Sequence, residues 1–580
     1  DAGVYVLTGT LTDGRIMVEA ADSDKVQIVL NEVSLTSSDN APIYVKQADK
    51  VFLTLAEGTK NAVTDGAAYT LADGEEEPDA AIFSKEDLTI NGAGALTVTA
   101  NYKNGIASKD DLIITGGTIT VTAVNDGLKG RDGVAVYDGA FVINAAEGDG
   151  IQSNNNEDTE KGWVSIDGGT FDITACHDGI QAETALQITD GTLTIKTGGG
   201  SANASTDSMD NERPEWGKWN YETAPPGEKD GPVSMENTES KVSTESRDNT
   251  DGTDSSDSSD STKGIKAGTT INVTGGKINI DSSDDGVHAN GDVNISGGTF
   301  TISSGDDGIH ADAALVADNA VIDILKSYEG LEGMTITVKG GTIHITSRDD
   351  GINASGGNDG SSFGRPGDNN FTPENSSEET DSVFIRIIDG CVVVNASGDG
   401  IDANGSLYID GGTVLVNGPT NNGNGPLDYN GVAEITGGIF VAAGSSGMAQ
   451  NFSASSTQNS LLLAYSSVQK AGTLVSLLDE SGKNVLSFTP EKDYQSIVIS
   501  TPELKQGKTY TLYSGGSTTG NNIDGLYTEG NYSAGTEVIK VTLSGIATGV
   551  SDTGDPINTM GGPGGPGGGP KGGPRPEPKQ

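Results

Sequence analysis

A glycine followed by an aliphatic residue returns every 22 residues through the middle of this chain, at Gly264-Ile265, Gly286-Val287, Gly308-Ile309 and Gly330-Leu331. The same pair stands at Gly105-Ile106, Gly127-Leu128, Gly150-Ile151, Gly179-Ile180, Gly351-Ile352 and Gly400-Ile401, separated by one period or one period plus an insertion. A second marker keeps the beat: "ITGGTITVTA" (114–123), "IDGGTFDITA" (166–175), "VTGGKINIDS" (273–282), "ISGGTFTISS" (295–304), "VKGGTIHITS" (338–347), "IDGGTVLVNG" (409–418) and "ITGGIFVAAG" (435–444). Two markers in register at a fixed period are the signature of stacked structural repeats.

Each unit holds short alternating segments separated by Gly, Asn and Asp, which read as strands and turns rather than helices. A unit of this length making one turn of three strands predicts a right-handed parallel β-helix, an all-β solenoid. Stacked turns then lie about 4.8 Å apart, and Ile, Val and Leu at one phase form a continuous inward column. A leucine-rich repeat would need more Leu and a helical segment, and the sequence has neither.

The phase runs back to Ile82 and Ile43, so residues 1–40 are expected to form an N-terminal β cap and 41–445 the solenoid. Insertions interrupt it at 197–262, with Trp216, Trp219 and Tyr221, and at 356–381. Residues 446–548 read as a separate antiparallel β region or cap, and 549–580 as a Gly/Pro-rich tail or linker. Cys176 and Cys391, set among apolar residues, are expected to be two small buried side chains rather than a disulfide framework.

Composition limits the partners. With Asp+Glu 83 against Lys+Arg 34, the formal charge is −49. Such a surface disfavours nucleic acid and anionic membranes and favours cations. No run approaches the roughly 20 apolar residues of a membrane span. The opening at Asp1 on strand-like sequence fits a processed, extracellular protein, and a monomer is expected.

The residue before the repeat glycine is acidic in most units: Asp126, Asp149, Asp178, Asp285, Asp307, Glu329, Asp350 and Asp399. Three units double it, at Asp284/Asp285, Asp306/Asp307 and Asp349/Asp350. Two carboxylates about 4.8 Å apart repel by about 3.5 kcal/mol at an effective dielectric of 20 and by about 0.9 kcal/mol in water. A tightly held column therefore needs protons or cations. Oxygen-only ligands on rigid turns suit Ca²⁺, so Asp126, Asp284, Asp285, Asp306, Asp307, Asp349, Asp350 and Asp399 are the candidate metal ligands. The competing account is that Asp-Gly is simply a good turn.

Two residues after the repeat glycine runs a second polar column. If the aliphatic residue between points inward, this column points outward, which makes Lys129, Gln152, Gln181, His288, His310 and Asn353 candidate contacts for an extended ligand.

The N-terminal block "LTGTLTDGRIMVEAADSDKVQIVLNEVSLTSSDNAPIYVKQADKVFLTLAEGTKNAVTDG" (7–66), followed by serial "DDGIHAD" and "GGTFTI" units, resembles a family of secreted clostridial carbohydrate-binding domain proteins. The resemblance covers roughly residues 3–445. It implies a β-helix related in shape to pectate lyases and non-catalytic binding of plant polysaccharide, cellulosic or acidic and pectic, with bound calcium. Calcium would then bridge an acidic glycan to an acidic protein.

The enzyme alternative is a β-helical polysaccharide lyase or polygalacturonase, in which paired carboxylates act as acid and base. Against it, the pair recurs in several units where an active site should occur once. A lyase base would have to come from Lys129, Arg131 or Arg348. A third class, a structural surface adhesin or stalk, shares the architecture without glycan affinity.

Overall fold

The computed structural model describes residues 1–72, 74–204, 261–355, 382–528, 530–533 and 535–557. Trp216, Trp219 and Tyr221, with most of the insertion 197–262, lie outside these, as do the insertion 356–381 and the tail beyond 557.

The described chain is all-β, with one short 3₁₀ turn at Ser201–Asn203 and one very large, mostly parallel sheet. Through most of the repeats each strand pairs in parallel with the third strand before it and the third after it, and the offset falls to two where two strands of a unit merge into Ile309–Ala317 and Leu331–Val338. One unit shows the pattern: Val287–Ala289, Asp292–Ile295 and Thr299–Ser303. They pair with Ile265–Ala267, Thr270–Val273 and Lys277–Ser282 of the unit before. The period of the sequence is thus the period of the pairing.

The aliphatic residue of the repeat points inward. Ile106, Leu128, Ile151, Ile180, Ile265, Val287, Ile309, Leu331, Ile352 and Ile401 are all fully buried, consecutive partners in the register. Each contributes about 1.5–3 kcal/mol of burial. They join the inward residues of the other strands in one continuous core that reaches from Val18 to Val498. Phe141 and Phe171 stack within it, with ring centroids 4.6 Å apart.

The repeat glycine is required by space. A Cβ on Gly308 would stand 2.6 Å from the Gly330 carbonyl oxygen and 2.6 Å from Ile324 Cδ1, and Gly127, Gly286 and Gly351 meet the next unit in the same way. The Gly-Gly-Thr marker has a different cause: its second glycine is left-handed, as at Gly298 with φ +94°, a conformation that disfavours any side chain.

Three expectations change. The first forty residues form no separate layer: Gly3–Leu11 and Ile16–Glu19 pair in parallel with Lys25–Thr36 and Ile43–Gln47, as later units do. Cys176 is exposed and Cys391 half-buried. Cys176 follows inward Phe171, Ile173 and Ala175, so strand alternation carries it outside. The region after 446 is also not wholly antiparallel, because Ser460–Gln469 pairs in parallel with Ala547–Ser551. There Tyr494–Ser500 joins the large sheet antiparallel to Ile439–Gly444. A separate five-stranded antiparallel sheet, built from strands between Val475 and Thr542, buries Leu477, Phe488 and Leu512 in a second core with the outer-face residues Val393, Leu415 and Val441.

Candidate functional site

The acidic column is a hydrogen-bonded ladder. Oδ1 of each aspartate accepts the backbone N–H of the residue one unit later: Asp126 from Asp149 at 3.1 Å, Asp149 from Asp178 at 2.9 Å, and Asp178 from Lys263 at 2.7 Å. It resumes at Asp285, which accepts from Asp307 at 2.9 Å, and Asp307 accepts from Glu329 at 3.0 Å. Asp350 accepts from Asp399 at 2.5 Å, and Asp399 from Gly425. Asn104 opens the series by accepting from Asp126 at 3.1 Å. A buried N–H that the strand ladder leaves over is satisfied at each step.

The second oxygen turns to the second polar column, three residues on. Lys129 Nζ donates to Asp126 Oδ2 at 2.8 Å, and Gln152 Nε2 to Asp149 Oδ2 at 2.5 Å. His288 Nδ1 lies 2.8 Å from Asp285 Oδ2 in the same way, whereas Asp178 Oδ2 faces Lys266 Nζ of the next unit at 3.7 Å. The two columns therefore neutralise one another. The outward expectation fails for His288, His310 and Asn353, which are buried, whereas Lys129, Gln152 and Gln181 are half-buried. Alternation correctly takes these side chains off the aliphatic core, but a partner on the same turn covers them. His288 and His310 do stack, centroids 4.7 Å apart.

Among the described residues, three groups of acidic and histidine side chains could hold a metal ion, and they differ in what already fills them. At Asp284, Asp285 and Asp306 a lysine intervenes: Lys263 Nζ lies 2.6 Å from Asp285 Oδ2 and 3.0 Å from Asp284 Oδ2, itself buried. Burial opposes ionisation of Asp285, but Lys263 and His288 outweigh it and hold the carboxyl well below the usual range. The ammonium stands where the sequence suggests calcium.

At Asp307, His310 and Glu332 the imidazole is the cation. Its Nδ1 lies 2.8 Å from Glu332 Oε2 and 3.4 Å from Asp307 Oδ2, and its Nε2 lies 3.0 Å from Asp312 Oδ1. Carboxylates on both nitrogens hold it protonated against the penalty of burial. Burial pushes Glu332 up, yet the hydrogen bonds from His310 and Asp307 bring it down to about 2. Asp307 goes the other way, raised by burial and then by Asp306, Glu332 and Glu329.

The third group, Asp350, Asp399 and Asp402, offers only oxygens. Burial first, and then Asp349, Asp399 and Asp402, push Asp350 up to about 8. Burial and then Asp399 and Asp428 push Asp402 up to about 7. The donor set fits a hard cation such as Ca²⁺. Asp349 at its edge accepts from the Tyr328 hydroxyl at 2.7 Å. Sequence reasoning places Asp402 in the second column without counting it as a metal ligand, and it misses Asp428, its partner in register.

Outside the ladder, the third strand of each unit turns one side chain of a continuous register series outward. Thr97, Thr120, Val142, Asp172, Thr194, Asn279, Thr301, Asp323 and His344 are consecutive register partners. All are exposed or half-buried. Of the lysine and arginines weighed as lyase bases, Lys129 is tied to Asp126, Arg131 to Glu157 at 2.6 Å, and Arg348 to the Gly305 carbonyl at 2.6 Å.

The profile of the family described as carbohydrate-binding domain-containing protein matches residues 1–308 and 289–365. A protein of that description from Acetivibrio thermocellus is 43% identical over 198 residues, which span 34% of this chain and 69% of the relative. A solved structure described as the polysaccharide lyase-like protein from C. thermocellum, a gadolinium derivative, is 42% identical. It covers 34% of this chain and 80% of its own, with a TM-score of 0.34. On the extent of the family match and the identity to the Acetivibrio relative, the chain belongs to the carbohydrate-binding domain-containing protein family.

Proposed function

We propose that the protein is a non-catalytic, extracellular binder of an extended plant-type polysaccharide, acidic or cellulosic, and that its stacked units form a right-handed parallel β-helix. Family membership supports glycan binding in general, and the outer face of the third strands carries the finer reading. That face repeats mostly polar side chains, interrupted at Val142, at about the 4.8 Å strand spacing, close to the length of one pyranose in an extended chain. It runs from Thr97 to Asn279 and on to His344. Hydroxyls, amides and carboxylates there can follow a glycan sugar by sugar. Calcium lets an acidic glycan bind a chain of net charge −49, by joining sugar carboxylates to outward aspartates such as Asp172.

The use of the inner aspartate of each pair supports non-catalytic action. An acid/base pair needs carboxyls open to a substrate, whereas Asp285 and Asp307 are buried and bonded on both oxygens.

The test is calorimetric titration with polygalacturonate and with cello-oligosaccharides, with and without EDTA, while absorbance at 235 nm is followed. Binding with flat absorbance is expected, with the acidic ligand lost on chelation. Thr120→Glu with Thr194→Glu should weaken binding at least tenfold. Rising absorbance at 235 nm would convert the reading to a lyase, and no affinity for any glycan would leave the stalk.

A further inference from the structure

The outward series of the third strands does not stop at His344. Its next partners in register are Val393, Leu415 and Val441. These three are buried, in the second core that they share with the five-stranded sheet. The columns on either side change with them. Thr342 is followed by Cys391, half-buried against the same core. Thr346 is followed by Asn395 and Asn417. Asn395 Nδ2 donates to Glu491 Oε2 at 3.0 Å, and the Glu491 N–H donates to Asn417 Oδ1 at 2.9 Å. A face that is mostly polar and open as far as His344 thus becomes the floor beneath another sheet.

A turn stands at this boundary. Ile523 and Leu526 pair across it, and Asp524 within it has a left-handed backbone, with φ +50°. Asp524 Oδ2 lies 3.5 Å from His344 Nε2, and Asp323 Oδ1 lies 2.9 Å from His344 Nδ1. The three side chains remain 36–40% exposed, and Ile523 beside them is 59% exposed. Sheets packed face to face lie about 10 Å apart, so the covering sheet stands a full layer above the open strip. In the other direction the series runs on from Thr97 through Ala62 and Ser34 to Thr10 of the first unit, all exposed or half-buried.

We propose that the C-terminal sheet is an end stop, so that the protein takes an extended glycan by one chain end. That end is seated against Asp323, His344 and Asp524, and the rest of the chain runs out towards the first unit. This rests on the third-strand face being the glycan site proposed above, and goes beyond it by fixing where the bound chain ends. The last sugar of a chain carries a free hydroxyl where an internal sugar carries a glycosidic bond. A carboxylate has about four lone-pair sites, more than His344 takes up, so Asp323 and Asp524 can each accept from that hydroxyl. Bonds of this charge-assisted kind are roughly twice as strong as neutral ones. Val393, Asp524 and the covering sheet all lie beyond the residues matched by the family profile.

The full chain is titrated by calorimetry with cello-oligosaccharides and, in CaCl₂, with oligogalacturonides, each in short and long preparations of known molar concentration. One protein per glycan chain is expected at every length. A bulky amine label coupled to the reducing end, or an unsaturated sugar at the non-reducing end of the galacturonides, should weaken binding at least tenfold. Only one of the two should do so, and it identifies the seated end. Asp524→Gly, which suits the left-handed backbone, should weaken binding of short chains at least tenfold while its circular dichroism matches wild type. The proposal is overturned if the number of proteins bound rises in proportion to chain length. It is equally overturned if neither end modification weakens binding, or if Asp524→Gly binds short chains as wild type does. In those cases the glycan reading stands, whereas no affinity for any glycan sinks both.

Discussion

Asp285 and Asp307 are 22 residues apart in the chain and one hydrogen bond apart in space, the Oδ1 of Asp285 accepting the Asp307 N–H at 2.9 Å. Repulsion between neighbouring carboxylates is the smaller fact about this column. At Asp285 one oxygen ties its unit to the next, and the other is matched by His288 of its own unit and Lys263 of the unit before, so its charge is held by donors on two sides.

Asp285→Ala should therefore be among the most destabilising single changes in the chain. It leaves the Asp307 N–H unpaired and Lys263 buried without its nearer partner. Breaking a buried pair from one side costs about 3–5 kcal/mol. Asp285→Asn keeps the ladder acceptor and should lose less. Urea unfolding midpoints of the two variants check the order.

Lys263→Met removes the cation and leaves Asp284 and Asp285 facing each other. A similar loss of about 3–5 kcal/mol is expected in EDTA. Millimolar CaCl₂ should recover part of it, because the vacated place is then lined by oxygens. Equal Tm values with and without calcium in this variant would contradict the assignment of Lys263 as the resident cation.

Gly308→Ala tests the spacing of the units. Its Cβ would meet the Gly330 carbonyl oxygen and Ile324 Cδ1, both at 2.6 Å. Overpacking of this kind costs about 1–3 kcal/mol. Gly472→Ala, where the added Cβ meets nothing but φ is +76°, separates strain from crowding in the same unfolding assay.

Acid should attack the His310 cluster. Glu332 is held at about 2 in the folded chain against its ordinary 4.5. Its contribution is full above pH 4.5 and is lost as pH falls towards 2, up to about 3 kcal/mol. His310→Gln removes the imidazolium, so Glu332 should titrate nearer its ordinary value or above. Acid unfolding of the variant should then begin at a higher pH than in wild type, followed by far-ultraviolet circular dichroism.

The sequence exposes the period, the inward Ile and Val, and the place of the two polar columns, because a residue one unit on must lie directly above. What it leaves undecided is covering. Strand alternation distinguishes core from non-core at His288 and His310, but it does not say that Asp285 and Asp307 close over those rings. The pairing of Lys263 with Asp284 and Asp285 is also hidden, since Lys263 reads as one departure from an acidic column. Gln450 is further still from view: it meets the ladder at Asp428 only after the chain has left the repeat.

The aspartate bonds all point one way. From Asn104 to Asp178, from Asp285 to Glu329 and from Asp350 to Gly425, the earlier unit supplies the acceptor and the later one the donor. Each unit thus presents a ready side-chain acceptor to the unit that follows, and its repeat glycine donates back to that unit's aspartate carbonyl, as the Gly286 N–H does to Asp307 at 2.8 Å. Losing one aspartate side chain therefore strands a donor in the later unit, while the returning backbone bond from the earlier unit is kept.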